Sequence, residues 1–225
     1  HSRMTLVNSF IPLKFFSHIK ADPIIMRVLL IEVLKGVAIY GCLSVLIVIY
    51  TVYAFGPDSG LGKFNASFAA LTILTSYIFG KYIKAAHYSR LSLINTGLIL
   101  LTLSLFISED TRLNFILYNI CYSTFVVLVQ LITDVNMFNI SNCDKISDRY
   151  RIEFFAVREL ALSIGRLTGY SLLFLAGSYS PETSLKVLLI FLTFVVLFTA
   201  YLSNRLQNLT QEECGGDISS YAKAA

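Results

Sequence analysis

Apolar residues in this chain gather in runs close to the roughly 20 residues an α-helix needs to cross a bilayer, with short polar breaks between them. Six such runs are present. The first extends from about Val28 to Phe55 and closes at the break Gly56 to Asn65. The second, near Ala66 to Phe79, ends at Gly80 and a basic loop from Lys81 to Arg90. A third, Leu91 to Ile107, has no ionisable residue and stops at Ser108 to Arg112; a fourth covers about Leu113 to Thr133 and ends at Asp134. A loop from Val135 to Arg149 leads into the fifth, contained in Asp148 to Gly177, and Ser178 to Ser184 precedes the sixth, Leu185 to Leu202. The pattern predicts an all-α, polytopic membrane bundle of six transmembrane helices over residues 28–203. Residues 1–27 read as a cytoplasmic linker or interfacial segment, since Arg3 to Lys20 is amphipathic and interrupted by Pro12; residues 204–225 read as a C-terminal tail.

The polar residues inside the runs are few and ordered. At roughly 100° per residue, Glu159, Ser163, Arg166 and Tyr170 share one stripe of the fifth helix, while Gly165 and Gly169 form a small-xxx-small pair on a neighbouring face that permits close helix packing. Asn119, Ser123 and Gln130 fall at helical spacing on the fourth, and Glu32 and Lys35 lie one turn apart near the start of the first. A charge inside the bilayer costs on the order of a few kcal/mol, so these residues should face protein, each other or water. Spans one, four and five are therefore expected inside, and the uncharged three and six against lipid. That assignment has a three-span period.

Composition agrees with the pattern: 56% of the 225 residues are hydrophobic and 14% charged, an apolar excess too large for a soluble domain. The net charge of +4 does not mark a nucleic-acid binder, because the basic residues lie between apolar runs and not in one patch. If the six runs alternate direction, 13 of the 18 Lys and Arg fall on one side, Lys63, Arg112 and Lys186 on the other, and Lys35 and Arg166 within spans. The positive-inside rule then places both termini in the cytoplasm, in a cell membrane. Cys42, Cys121, Cys143 and Cys214 show no C-x-x-C spacing, and His1, His18 and His87 lie outside the runs, so neither a metal site, a cofactor nor a disulfide framework is indicated. The chain opens on His1, consistent with a start at Met4 or with origin in a longer chain.

The three-span period, with polar first and fourth helices, resembles one half of a major facilitator superfamily transporter, in particular its C-terminal half. The loop after the second run keeps the Gly80 and basic character of the family's signature loop Gly-x-x-x-Asp-Arg-x-Gly-Arg/Lys-Arg, with Lys84 in place of Asp, Ala85 in place of Arg and His87 in place of the second Gly. Arg158-Glu159 followed by Gly165-Arg166 is similar to the fifth helix of a half in bacterial members. The resemblance implies two inverted three-helix repeats and a first and fourth helix lining a cavity. It further implies alternating access against a second six-helix half, for a small polar or anionic solute with H+ or Na+ as the coupling ion.

Glu32, Lys35, Asp134, Arg158 and Glu159 lie at one depth near the cytoplasmic ends of spans one, four and five. They make either a gate whose ion pairs form and separate, or static interfacial pairs. Arg166, about two turns further in, either binds an anionic group or holds Glu159 ionised. Asn119, Ser123, Gln130 and Tyr170 are cavity-lining candidates, with hydrogen bonding between neighbouring helices as the other reading of the first three. Tyr40, Tyr118 and Tyr122 read as packing or interface-belt residues. An intramembrane enzyme is disfavoured: H-E-x-x-H and G-x-S-x-G are missing, and Asp134 has no second intramembrane Asp. A six-span channel or accessory subunit acting as a homo-oligomer is the competing membrane function.

Overall fold

The computed structural model describes residues 23–56, 59–82, 87–109, 111–142, 151–179 and 181–214, and every regular element in them is helical. The N-terminal interfacial segment, part of the signature-like loop, the loop around Lys145 and the end of the C-terminal tail lie outside the described residues. The first span is one continuous helix in three parts: α1 (Pro23–Lys35), a π-helical stretch (Gly36–Leu43) and α2 (Ser44–Phe55). There follow α3 (Ser59–Tyr82), α4 (Tyr88–Ser108), α5 (Arg112–Asn142), α6 (Arg151–Tyr179) and α7 (Pro181–Cys214). Pro stands at the first position of α1 and α7, where its missing N–H removes no helical hydrogen bond. Gly56 closes α2 at φ 85°, a left-handed conformation open to Gly, and donates its N–H to the Val52 carbonyl at 2.8 Å. Asn114 fastens the α4–α5 turn by donating its Nδ2 to the carbonyls of Leu105 and Glu109 at 3.2 and 3.0 Å.

Five stretches are long and apolar enough to cross a membrane: Pro23–Tyr53, Arg90–Ser108, Arg112–Ile140, Ile152–Ser178 and Thr183–Leu209. The chain is thus a multi-pass helical membrane protein. The second predicted run grows into the 24-residue α3, which is long enough but diluted by Gly62, Lys63, Asn65, Ser67, Thr72, Thr75 and Ser76, and is not among the five. The helices also outrun their sequence boundaries. Ile24 and Ile25 are buried in α1, ahead of the expected start at residue 28, and α7 continues past residue 203 to bury Leu206.

The first span packs against α6 and α7, and α5 packs against α4, α3 and α7. One large apolar core fills the middle, with Leu43, Leu46, Tyr118, Phe125, Leu192 and Val196 nearly or fully buried. Phe106, Phe115 and Tyr50 cluster at one end of the bundle with ring centroids 5.8–5.9 Å apart, Tyr50 meeting Phe106 edge to face and the other two pairs tilted. At the other end Ile25, Val28, Ile31, Met137, Phe154 and Leu206 make a second core. The expected inside–outside order holds only in part. The first span and α5 are well enclosed, and α4 faces outward with Leu93, Ile94 and Leu101 exposed. The charged α6, expected inside, is the least enclosed span, with 17% of its apolar window buried, and α7, expected outside, reaches 39%. The reason is geometric: α7 lies across α1, α5 and α6, whereas α6 offers its narrow glycine face to the first span and turns the rest outward.

Candidate functional site

The close approach of α6 to the first span is set by glycines. A Cβ at Gly165 would overlap the Val33 carbonyl oxygen and stand 2.9 Å from Gly36 Cα, and one at Gly169 would overlap the Val37 carbonyl oxygen. From the other side, a Cβ at Gly36 would overlap the Leu162 carbonyl oxygen, and one at Gly41 would lie 3.3 Å from the Arg166 carbonyl oxygen. The small-xxx-small pair of α6 therefore meets backbone directly, as its spacing predicts. Its counterpart, Gly36 and Gly41, is separated by five residues and would be about 140° apart on an α-helix. The π-helical stretch, with its i→i+5 hydrogen bonds, stacks residues five apart and brings both glycines to one side.

Four charges converge where α1, α5 and α6 meet. Lys35 Nζ donates to Glu32 Oε1 at 3.1 Å and lies 3.9 Å from Asp134 Oδ1. Arg158 closes the ring, with Nη2 donating to Asp134 Oδ1 at 3.4 Å and Nε 3.5 Å from Glu32 Oε1. The ring has two acids and two bases and is neutral. Its interior members are Glu32 and Lys35, at 0% and 1% side-chain exposure, while Asp134 opens outward at 61%. It is also incompletely bonded, since Glu32 Oε2 and Arg158 Nε are buried without a hydrogen-bond partner among the described residues. Buried ions cost several kcal/mol each in lost hydration, and a half-satisfied network is a poor source of stability.

Of the five residues expected in this network, four are there. Glu159 is exposed and makes no ion pair among the described residues, because it follows Arg158 by one position and so points about 100° away. Of the two roles expected for Arg166, binding an anionic group or holding Glu159 ionised, no ion pair with Glu159 is seen among the described residues; Arg166 lies over the ring of Tyr40, its guanidinium carbon 5.3 Å from the centroid, within cation–π range. Tyr40 also accepts a hydrogen bond on its hydroxyl from Gln130 Nε2 at 3.1 Å. Its backbone carbonyl receives the Tyr170 hydroxyl at 3.5 Å. Arg166, Gln130 and Tyr170 are thus gathered by a residue that sequence patterning assigned to packing.

Asn119 and Ser123 do not join this cluster. Asn119 is eleven residues before Gln130, about 16 Å further along α5, and is buried with its Nδ2 unpartnered. Ser123 is half-buried between the two levels. Tyr118 pins α5 to α7 through a 2.8 Å hydrogen bond to Thr193, and Asn136 does the same by donating its Nδ2 to the Ser203 carbonyl at 3.0 Å. Glu153, which the sequence reading passed over, is buried in the first turn of α6 with Oε2 unpartnered. Its only sequence signal was an acid within the helix's first turn, which ordinarily means favourable contact with the helix dipole. Among the described residues no three His, Cys, Asp or Glu side chains come together in a metal-holding group. Comparison with protein-family models, curated proteins and solved structures finds no match to this chain.

Proposed function

We propose that this chain is one six-helix half of a secondary active transporter that moves a small polar or anionic solute by alternating access, as its resemblance to a major facilitator half implies. The observation that carries the reading is the convergence of the first span, α5 and α6 on two polar clusters at successive depths: the neutral ring of Glu32, Lys35, Asp134 and Arg158, and the Tyr40, Gln130, Arg166 and Tyr170 group. The pairs of this ring can separate only where water reaches the freed charges, as it does when a cavity opens, which suits a gate. Arg166 is the residue for an anionic group, since its guanidinium rests on an aromatic face and its hydrogen-bonding edge has no carboxylate partner among the described residues.

In this reading α3 is the remaining span and the bundle is two three-helix blocks. The packing supports it: exchanging the first span for α5, α3 for α6 and α4 for α7 turns the contacts of the first span with α6 and α7 into those of α5 with α3 and α4. Both termini and the ring are cytoplasmic by the distribution of Lys and Arg, with H+ or Na+ as the coupling ion.

Uptake into vesicles of the natural full-length protein, across a solute panel with and without pH and sodium gradients, tests this. Arg166→Ala is expected to lower uptake at least about tenfold, one lost charge-assisted contact. Arg166→Lys should keep part of it, because a point charge replaces a flat two-pronged donor. Full uptake by Arg166→Ala at normal expression would refute the role.

The outward polar stripe of α6, with Glu159 and Ser163 exposed, together with the exposed Asp134 of α5, is too polar for lipid and calls for a second six-helix half or a second copy. Light scattering in mild detergent should therefore find a particle of at least twice the 25.2 kDa of this chain. A monodisperse monomer would contradict that. A symmetric oligomer conducting ions without a saturable solute would favour the channel instead.

A further inference from the structure

The first span carries more residues between α1 and α2 than an uninterrupted α-helix of the same course would, and the surplus is taken up by the wide turns of Gly36–Leu43. Such stretches are rare, well under 1% of residues in proteins. Two functional groups depend on this one. Lys35, a member of the ion-pair ring, and Tyr40, the hub of the Arg166 cluster, are five apart, so the π geometry stacks them and an α-helix would set them about 140° apart. Tyr40 also sits near the exit of the stretch, where the hydrogen-bond ladder steps back from i+5 to i+4 and two carbonyls compete for one amide. The hydroxyl of Tyr170 meets the Tyr40 carbonyl there.

We infer that the wide turn travels along the first span, and that its travel couples the Arg166 cluster to the ion-pair ring. Moved one turn toward the N-terminus, it leaves both flanks in their present phase. Ile24, Ile25 and Val28 on one side and Leu46 and Tyr50 on the other stay in their cores. The residues it passes turn by about 100°, one α-helical step. Tyr40 leaves Arg166 and Gln130, and the Glu32–Lys35 pair, which needs the i, i+3 spacing of an α-helix, opens as the wide turn enters it.

The local environment ties that movement to α6. Every residue of Gly36–Leu43 except Tyr40 is buried, so rotation trades one apolar contact for another. As Gly36 turns away, its neighbour Val37 brings a Cβ toward the Leu162 carbonyl oxygen, so α6 draws back from the first span as the wide turn passes. What holds the turn in place is the glycine seam against α6 together with the Tyr40 contacts at 3.1, 3.5 and 5.3 Å. The ring acts on the same segment from its other end through Lys35.

The test uses the full chain in lipid nanodiscs with 3-fluorotyrosine at position 40, read by fluorine NMR, and is independent of what the protein carries. Two signals are expected, for Tyr40 on and off Arg166. Gly41→Ala should shift their ratio severalfold toward the off state, because its Cβ would stand 2.7 Å from the Gly36 carbonyl oxygen in the present geometry. Asp134→Asn, which touches only the ring, should also shift the ratio at least threefold. Deletion of Ala38 removes surplus chain and should leave one signal, and it serves where Gly41→Ala fails to fold. A single signal in the unmodified chain that neither Gly41→Ala nor Asp134→Asn alters would overturn the inference, as would an unchanged ratio of two signals in the deletion variant.

Discussion

Gly165→Leu is expected to abolish the folded bundle, and Gly165→Ala to lower its stability by about 1–3 kcal/mol, the range that overpacking a closed core costs. The atoms that a Cβ at Gly165 meets are the Val33 carbonyl oxygen, Gly36 Cα at 2.9 Å and Val37 N at 3.0 Å. All are backbone, and none can rotate away as a side chain would. Relief requires α6 to retreat from the first span, and with it Arg166 from Tyr40 and Arg158 from Glu32. Gly177→Ala is the control, since nothing lies within 4 Å of a Cβ there. It should be neutral or stabilising by up to about 1 kcal/mol through helix propensity. Unfolding in detergent micelles, followed by circular dichroism against added SDS or temperature, separates the two. Equal stability of Gly165→Ala and Gly177→Ala would show that the close glycine seam is not what holds α6.

Lys35→Met is expected to destabilise the protein by about 3–5 kcal/mol, the cost of leaving a buried charge without its nearest partner. Glu32 has no exposed surface and, among the described residues, no other hydrogen-bond donor than Lys35, with Arg158 Nε 3.5 Å away as a second cation. The double change Glu32→Gln with Lys35→Met removes both charges, and should recover more than half of the loss because an apolar or neutral replacement of a buried pair is often close to neutral. Asp134→Asn should cost much less, since 61% of that side chain is exposed and solvent screens its charge. The same micelle unfolding reads all three variants. If the double variant is as unstable as the single one, Lys35 contributes by packing its aliphatic stem and not by pairing.

Both predictions touch residues that the chain announces unevenly. Gly165 and Gly169 were legible because their i, i+4 spacing is a property of any α-helix, and α6 is regular through them. Glu32, Lys35, Asp134 and Arg158 were legible because a charge in an apolar run is costly wherever it sits, so partners had to exist. Glu159 was misplaced for a reason of the same kind: adjacent charges in a sequence point about 100° apart on a helix, and only the neighbours decide which of the two looks inward. The pairing of Gly36 with Gly41 and of Lys35 with Tyr40 escaped altogether, since a fixed 100° step sets residues five apart on different faces.

The amino-acid sequence by itself determined that this is a polytopic helical membrane protein, where most of its helices lie, and that the charges within its apolar runs need partners. Hydrophobic length and the cost of unpaired charge act locally along the chain and do not depend on how the helices are arranged. Only the tertiary structure decided that α7 is enclosed and α6 turned outward, that Arg166 rests on Tyr40, and that the first span opens into π-helical turns. Each of these depends on contacts between helices far apart in the chain, chief among them the glycine-to-backbone seam of the first span and α6. The local preference for 3.6 residues per turn gives way there because the wide turn brings both glycine pairs into register.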